Sequence, residues 1–466
     1  MRRRIAQSAV VSFIAIVAAS LIGLPTTSRP TIGVAPPRDR PDVILVTVDA
    51  LRADHLSLYG YGRLTSPVLD GFARRAAVFT SAITQAPYTK AAIASLMSGL
   101  YPTSHQAVTT TIPFPETMTG HVTTTLVATD VLAPSITTLA EAFHDQGYQT
   151  YGYTANPFLI ASFGFGQGFD HYQFFPGGDF AQATQVTNQA LSDIRQADAR
   201  PVFLWLHLME PHSPYAPPPL TRDMFRPEGK AEPIPEDRPP PSWLLQGSPP
   251  DLRAYLSRYD EEIAAADIAV CELIRDLAEL RPLRSPIVVI TADHGEEFLD
   301  HGGWEHGRTL HDELIRVPLV VAAPGVEGRR IDAQVQLMDL YPTLLALIGA
   351  PVPAAVAGTP FVDVLRGRGG SGPAFSELPN TAYALRWDGW KYIQFADGHM
   401  ELYNLIADPQ ERQNVAKSEP SRSMKMARLL DRHLADAIKR GETIEQRTVP
   451  IDNGTLEQLR SLGYIR

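Results

Sequence analysis

The sequence predicts an α/β fold with a second, smaller α+β domain, and three observations carry this. Val43–Val48 (VILVTV) and residues 287–291 are short, apolar, β-branched runs, the pattern of buried strands. Each leads into an aspartate, Asp49 or Asp293. Segments with helical spacing stand before further runs of this kind. Residues 135–147 are apolar at Ile136, Leu139, Ala140 and Phe143; residues 259–280 are apolar at Ile263, Ala266, Val270, Ile274 and Leu277. From Pro353 the texture changes. Residues 381–386, 390–394 and 400–405 are short runs separated by Asp388-Gly389 and Asp397-Gly398, the signal of antiparallel hairpins, and a helix is expected over 424–438.

At 466 residues the chain exceeds one usual hydrophobic core. We therefore expect a catalytic-sized domain over 42–369 and a small domain over 370–466. The formal charge of −10 gives no reason to expect a nucleic-acid partner. Cys271 is the only cysteine, which excludes an intrachain disulfide and a thiolate-rich metal site.

Arg2, Arg3 and Arg4 precede a mostly apolar stretch to Leu24. Residues 1–24 read as a signal peptide with a small-residue site at Ala18-Ala19-Ser20, or as an uncleaved membrane anchor. Either reading places the rest of the chain outside the cytoplasm, periplasmic or extracellular. Residues 25–41 are rich in Pro, Thr and Arg and read as a linker.

Taken in order, the first strand, Val43–Val48, delivers Asp49 to its carboxyl end, where ligands sit in open α/β sheets. Alone, Asp49 is as readily a helix N-cap. Thr89 opens a helix-favouring segment that stops at Gly99, and its hydroxyl has the position of an N-cap. A helix N-terminus also holds anions through free N–H groups and the macrodipole. Gln149–Thr154 is a strand ending near Asn156. The glycine-rich residues 164–168 lack the context of a dinucleotide fold. Val202–Leu208 is a strand carrying His207 at its end, followed by Glu210-Pro211-His212-Ser213-Pro214. Residues 217–250 form a long proline-rich excursion, a surface loop or a lid. Cys271 is a packed helix residue.

Residues 287–324 hold the densest chemistry. A strand ends on Asp293-His294-Gly295, and a second apolar run begins at Val317. Between them lie His301, His306, His311 and many carboxylates. An Asp-His pair can give one carboxylate oxygen and one imidazole nitrogen to a cation. The alternative is a capping Asp293 beside a packed His294. Two carboxylates at neighbouring strand ends, Asp49 and Asp293, repel unless a cation lies between them. Gly295 allows a close backbone approach or a positive φ.

Together these pieces resemble the sulfatase family of the alkaline phosphatase superfamily, over nearly the whole chain after the export segment. The segments are TVDALRADHLSLYGY (47–61), APYTKAAIASLMSGLYP (86–102), HLMEPHSPY (207–215), TADHG with the later His306-Gly307, and DGWKYIQF with ELYNLIADPQERQNVA (388–416). None is decisive alone, but their order is specific. The resemblance implies an alkaline-phosphatase-like three-layer α/β/α sandwich with a small C-terminal antiparallel sheet and helix. It implies that Asp49, Asp293 and His294 hold one divalent cation with Thr89 as nucleophile and metal contact. His212 and His306 would meet the substrate anion or its leaving group.

Two departures shape the expected chemistry. Typical family members carry C-x-P-x-R, whose cysteine becomes formylglycine; here Thr89-Lys90-Ala91-Ala92-Ile93 has none of these residues, so no formylglycine forms. The family's paired Asp-Asp is Asp49-Ala50, one oxygen ligand fewer. Of calcium, manganese, magnesium and zinc, that loss counts against calcium, which takes the most oxygens. The expected function is an exported, metal-dependent hydrolase of phosphate, phosphonate or sulfate esters working through a covalent Thr89 ester. Thr89 lacks the second hydroxyl by which formylglycine sheds sulfate, which favours phosphate or phosphonate. The alternatives are a transferase moving a phosphoryl head group onto an envelope lipid or glycan, and a non-catalytic binding protein. The expected partner is an anionic ester; the membrane enters only through the N-terminal segment.

Overall fold

The computed structural model of the chain describes residues 40–108, 128–176, 182–227, 229–245, 247–282 and 285–461. The expected signal or anchor at 1–24 and the linker up to residue 39 lie outside the described residues. The main elements are β1 (Val43–Val48), α1 (Pro67–Ala73), β2 (Ala77–Ile83), α2 (Thr89–Ser98), α3 (Leu139–Asp145), β3 (Gln149–Thr154), β4 (His171–Phe174), α4 (Ala183–Ile194), β5 (Val202–Leu208) and α5 (Leu252–Leu280). They continue with β6 (Ile287–Ala292), β7 (Arg316–Ala322), β8 (Arg329–Ile331), β9 (Val335–Gln336), α6 (Leu340–Leu347), β10 (Ala374–Leu378), β11 (Ala382–Trp387), β12 (Trp390–Phe395), β13 (Met400–Asn404) and α7 (Pro420–Gly441).

The large sheet has the order β8-β2-β7-β6-β1-β5-β3-β4, with β9 also on β2. Strands β6, β1, β5, β3 and β4 run parallel, each to its neighbour. β7 runs antiparallel to both β6 and β2. β1 is central and wholly buried, which is why VILVTV shows no polar alternation. Two helix groups flank the sheet: α1, α4 and α5 pack together, and so do α2, α3 and α6. This is the expected α/β sandwich. β10 to β13 form a separate antiparallel sheet in sequential order, with α7 packed across β11 and β12. Glu377 of the C-terminal sheet makes polar contacts both with the segment after α2 and with α7. Glu377 of β10 accepts from Thr103 N at 2.7 Å, and its other oxygen lies 2.9 Å from His433 Nε2 on α7.

Several expected boundaries shift. α3 starts after Thr138, not at Ser135: Thr138 Oγ1 accepts from Glu141 N at 3.1 Å while Glu141 Oε2 accepts from Thr138 N at 2.7 Å. That capping box fixes the start. α5 starts well before Tyr259, capped by Asp251, whose side chain accepts from Arg253 N. β2 and β10 were not expected. The excursion at 217–250 docks on the short hairpin of Glu297–Phe298 with Trp304–Glu305. Trp304 Nε1 donates to the Arg238 carbonyl at 3.0 Å, and Trp243 Nε1 donates to Glu305 Oε1 at 2.9 Å. Cys271 is buried, as expected.

Candidate active site

Strand register assembles the site. Thr47 pairs with His207 on one side and with Thr291 on the other, and Val48 pairs with Ala292. Asp49 and Asp293 are the next residues of their strands, so three adjacent parallel strands deliver Asp293, Asp49 and His207 to one sheet end. β3, the next strand over, delivers Asn156. This is the carboxyl end of the sheet, the ligand side of open α/β folds.

Thr89 reaches the same point from α2. It was expected as the N-cap, but Tyr88 occupies that position and Thr89 is the first helical residue. Its hydroxyl turns toward the polar cluster instead. Oγ1 lies 3.2 Å from His294 Nε2, 3.4 Å from Asp49 Oδ2 and 3.5 Å from Asp49 Oδ1. Asp49, Asp293 and His294 are fully buried, and Thr89 is 1% exposed.

Two glycines set the close approaches. A Cβ on Gly295 would fall 1.9 Å from the Glu313 carbonyl oxygen, so close approach is what this position requires, not a positive φ. Gly307 has φ +77°, and its N–H donates to the Pro87 carbonyl at 2.9 Å. That bond ties the histidine loop to the segment carrying Thr89.

The electrostatics are those of a site short of positive charge. Burial, and then Asp49, push the Asp293 carboxyl well above its ordinary range. Burial would also raise Asp49, but the charge on His212 and the hydrogen bond to His207 pull it below its usual range. Among the described residues Asp293 Oδ2 is buried with no hydrogen-bond partner, while Oδ1 accepts from His294 N at 2.8 Å and Ala50 N at 3.2 Å. Asp49, His207 and Asp293 each offer a ligand atom within 4.8 Å of the others. His294 Nε2 is 3.4 Å from Asp49 Oδ1 and from Asp293 Oδ2. An orphaned carboxylate oxygen amid convergent donors fits a divalent cation, with oxygen and imidazole ligands.

His212 and His306 stand at the rim, ring centroids 5.0 Å apart, and His306 is 4.3 Å from His294. His306 Nδ1 sits 3.0 Å from Glu296 Oε1. Burial would lower the His306 pKa, but Glu296 more than offsets this and holds it above the ordinary value. Burial, with the charge on His306, drives His294 well below its own. All six expected site residues thus converge.

Five residues around the site went unassigned in the sequence. His207 Nε2 lies 3.0 Å from Asp49 Oδ2 and its Nδ1 lies 2.9 Å from Thr47 Oγ1. Asn156 Nδ2 donates to Asp49 Oδ2 at 2.8 Å. Glu296 orients His306 and itself accepts from Tyr215 OH at 3.1 Å. Their strand-end or Pro-turn positions were the only signal, because strand order is not written in one sequence. Lys90, beside Thr89, is buried on the Thr129 hydroxyl and the Asp130 carbonyl, and burial pushes its ammonium down to about 7.

Comparison with known proteins bears on the same segments. The family model "Sulfatase" matches residues 41–350, and that of "N-sulphoglucosamine sulphohydrolase, C-terminal" matches 300–440. Arylsulfatase K of Xenopus laevis is 31% identical over 199 residues, 39% of this chain but only 36% of the relative's length. The arylsulfatase of Clostridium perfringens is 24% identical over 442 residues, covering 82% of this chain and 91% of its own. Among solved structures, the phosphonate monoester hydrolase of Agrobacterium radiobacter superposes with a TM-score of 0.69 at 21% identity, over 85% of this chain and 96% of that one. A 2-O GAG sulfatase superposes at 0.67 and 22% identity, over 90% of this chain and 96% of that one. With residues 41–350 of the 466 matched by its family model, the chain belongs to the sulfatase family.

Proposed function

We propose that this chain is an exported, metal-dependent hydrolase of phosphate, phosphonate or sulfate esters that works through a covalent ester on Thr89. The observation that carries it is Thr89 Oγ1 facing Asp49 and His294 at the head of α2, beside the orphaned Asp293 Oδ2. The names of the relatives, arylsulfatases and a phosphonate monoester hydrolase, support the ester class.

Asp49, Asp293 and His294 would hold the cation, with His207 orienting the Asp49 carboxylate through its Nε2. His294 donates from Nδ1 to the Gly295 carbonyl at 2.8 Å, which leaves Nε2 as the lone-pair face toward Thr89. Bound there, a dication supplies Lewis-acid polarisation and lowers a hydroxyl pKa, as it lowers that of water from about 15.7 to roughly 7.

Thr89 gives its proton toward the Asp49 carboxylate, which faces it, and attacks the phosphorus or sulfur atom. As that bond forms, the bond to the leaving oxygen breaks. His306, kept protonated by Glu296, donates its proton to the leaving oxygen. His212 donates from Nδ1 to the Ser213 carbonyl at 2.6 Å and turns its other edge to the anion. Water then attacks the central atom and gives a proton to His306, while the Thr89 oxygen leaves and takes back the proton held by Asp49. The first free N–H groups of α2 face the anion as at any helix N-terminus. Because the Thr89 ester can leave only by attack at the central atom, we favour phosphate or phosphonate esters over sulfate.

The test is a panel of nitrophenyl phosphate monoesters, diesters, phosphonates and sulfates, with Thr89→Ala and a chelator-treated sample. Loss of turnover in both is expected. Turnover surviving Thr89→Ala overturns the nucleophile, and aryl sulfates outrunning every phosphoester overturns the preference.

A further inference from the structure

The loop that carries His306 is bracketed by two more histidines. His301 and His311 stack face to face, ring centroids 3.6 Å apart and 6° from parallel. His301 Nδ1 lies 2.6 Å from Glu313 Oε1, and His311 Nε2 lies 3.1 Å from Glu401 Oε2 on β13. One nitrogen from each ring and one Glu313 oxygen lie within 4.8 Å of one another. His311 is 4% exposed, and its Nδ1 is buried with no hydrogen-bond partner among the described residues. The neighbouring Lys391 is already balanced by Asp312 at 3.1 Å and Glu411 at 2.9 Å, so Glu313 and Glu401 are left to the imidazoles.

We propose that His301, His311 and Glu313, with Glu401 alongside, form a second metal site that takes zinc and pins the His306 loop to the C-terminal sheet. Two imidazoles and a carboxylate are a zinc donor set, unlike the hard oxygens that calcium or magnesium select. With bonds of about 2.0–2.1 Å, tetrahedral ligands stand about 3.3 Å apart, so the three atoms close by up to about 1.5 Å and the two rings tilt out of their parallel stack to aim their nitrogens at one ion. His311 Nδ1 is left without a partner among the described residues; a cation gives it one. Binding displaces the proton that His301 shares with Glu313, so zinc uptake releases protons. The mechanical consequence lies in the chain: His306 stands midway between the two ligands.

The test is zinc titration with elemental analysis on the purified chain, on His301→Gln/His311→Gln, and on Asp293→Asn. The double histidine variant is expected to bind one zinc equivalent fewer than the parent. Asp293→Asn keeps the second site intact, so it must retain zinc, with imidazole in the coordination shell by X-ray absorption. This also separates the proposal from the reading of the first site, whose failure would leave the histidine-dependent equivalent in place. Unchanged zinc content in the double variant overturns the proposal. Should that variant misfold, a zinc-free Asp293→Asn does so independently.

Discussion

Asp49 and Asp293 stand side by side because each is the residue after Val48 and Ala292, a register pair on adjacent parallel strands. Their burial without solvent makes the pair costly in the absence of a cation. The Asp293 carboxyl titrates above its ordinary 3.8 in the folded state. The sign follows: its contribution to stability is present below the unfolded value and lost as pH rises through the folded value. Chelator-treated protein should therefore lose stability from about pH 4 upward in this contribution. Asp293→Asn removes the buried carboxylate and should raise metal-free stability at pH 7. Added magnesium, which the imidazole-rich second site does not select, at about a hundred times its Kd should stabilise the parent by roughly 2.7 kcal/mol and the variant hardly at all. Melting curves with and without metal at pH 7 decide it; equal metal responses would remove Asp293 from the ligand set.

The nucleophile is tested by what a hydroxyl alone restores. Thr89→Ala should cost about 10³-fold or more in kcat, since a residual rate from binding and polarisation remains. Thr89→Ser keeps the hydroxyl and should recover most of that loss, less what the freer rotamer costs. A covalent phosphoryl or sulfuryl adduct trapped by rapid quench should appear on the peptide containing Thr89. An alanine variant with parental kcat would sink the covalent mechanism.

What the sequence showed of this site was chemistry, and what it hid was register. Asp49, Asp293, His294 and His306 stand out because Asp-His, His-Gly and strand-end aspartates are unusual local patterns, whereas Thr89 and His212 took their roles from the family resemblance alone. VILVTV reads directly as β1 because a strand buried on both faces has no polar alternation. His207 and Asn156 were noted at strand ends without a role, since only the order β6-β1-β5-β3 brings them to Asp49. The Thr89 misreading has the same origin. Its local setting is that of a cap, and it is the distant Asp49 and His294 that face its hydroxyl.

On the proposed mechanism, the Glu296–His306 pair should set the alkaline limb of activity. Glu296 holds the His306 pKa above 6.5, and the acid form is the one that protonates a leaving oxygen. Activity should fall as pH rises through that raised value. Glu296→Gln removes the opposing charge, so the limb should move to lower pH, while substrates with excellent leaving groups, such as dinitrophenyl esters, should be least affected. His306→Gln should flatten the limb and cost about 10²–10⁴-fold on poor leaving groups. A pH–rate profile of kcat/KM unchanged by Glu296→Gln would show that another group donates the proton.

Ala50 is where the chain departs from the family's paired aspartates, and its backbone records the departure. It holds φ 55° although it is not a glycine. Its N–H donates to Asp293 and its carbonyl accepts from Tyr259 OH at 2.7 Å, so the surrounding bonds over-determine the conformation. A left-handed L-residue costs about 1–2 kcal/mol, and Asp or Asn relieves part of that by local hydrogen bonding. Ala50→Asp is thus compatible with the backbone and adds an oxygen beside Asp49. A third buried carboxylate repels the other two, so the variant should be less stable than the parent when chelated. With calcium, which takes six to eight oxygens, it should gain more than with zinc. The measurement is the melting shift on adding calcium against that on adding zinc, in Ala50→Asp, in Ala50→Gly and in the parent. Ala50→Gly relaxes the backbone without adding a ligand, so it separates strain relief from coordination. A calcium preference that rises in the aspartate variant alone assigns the lost ligand to this position; a rise in both variants, or in neither, refutes that.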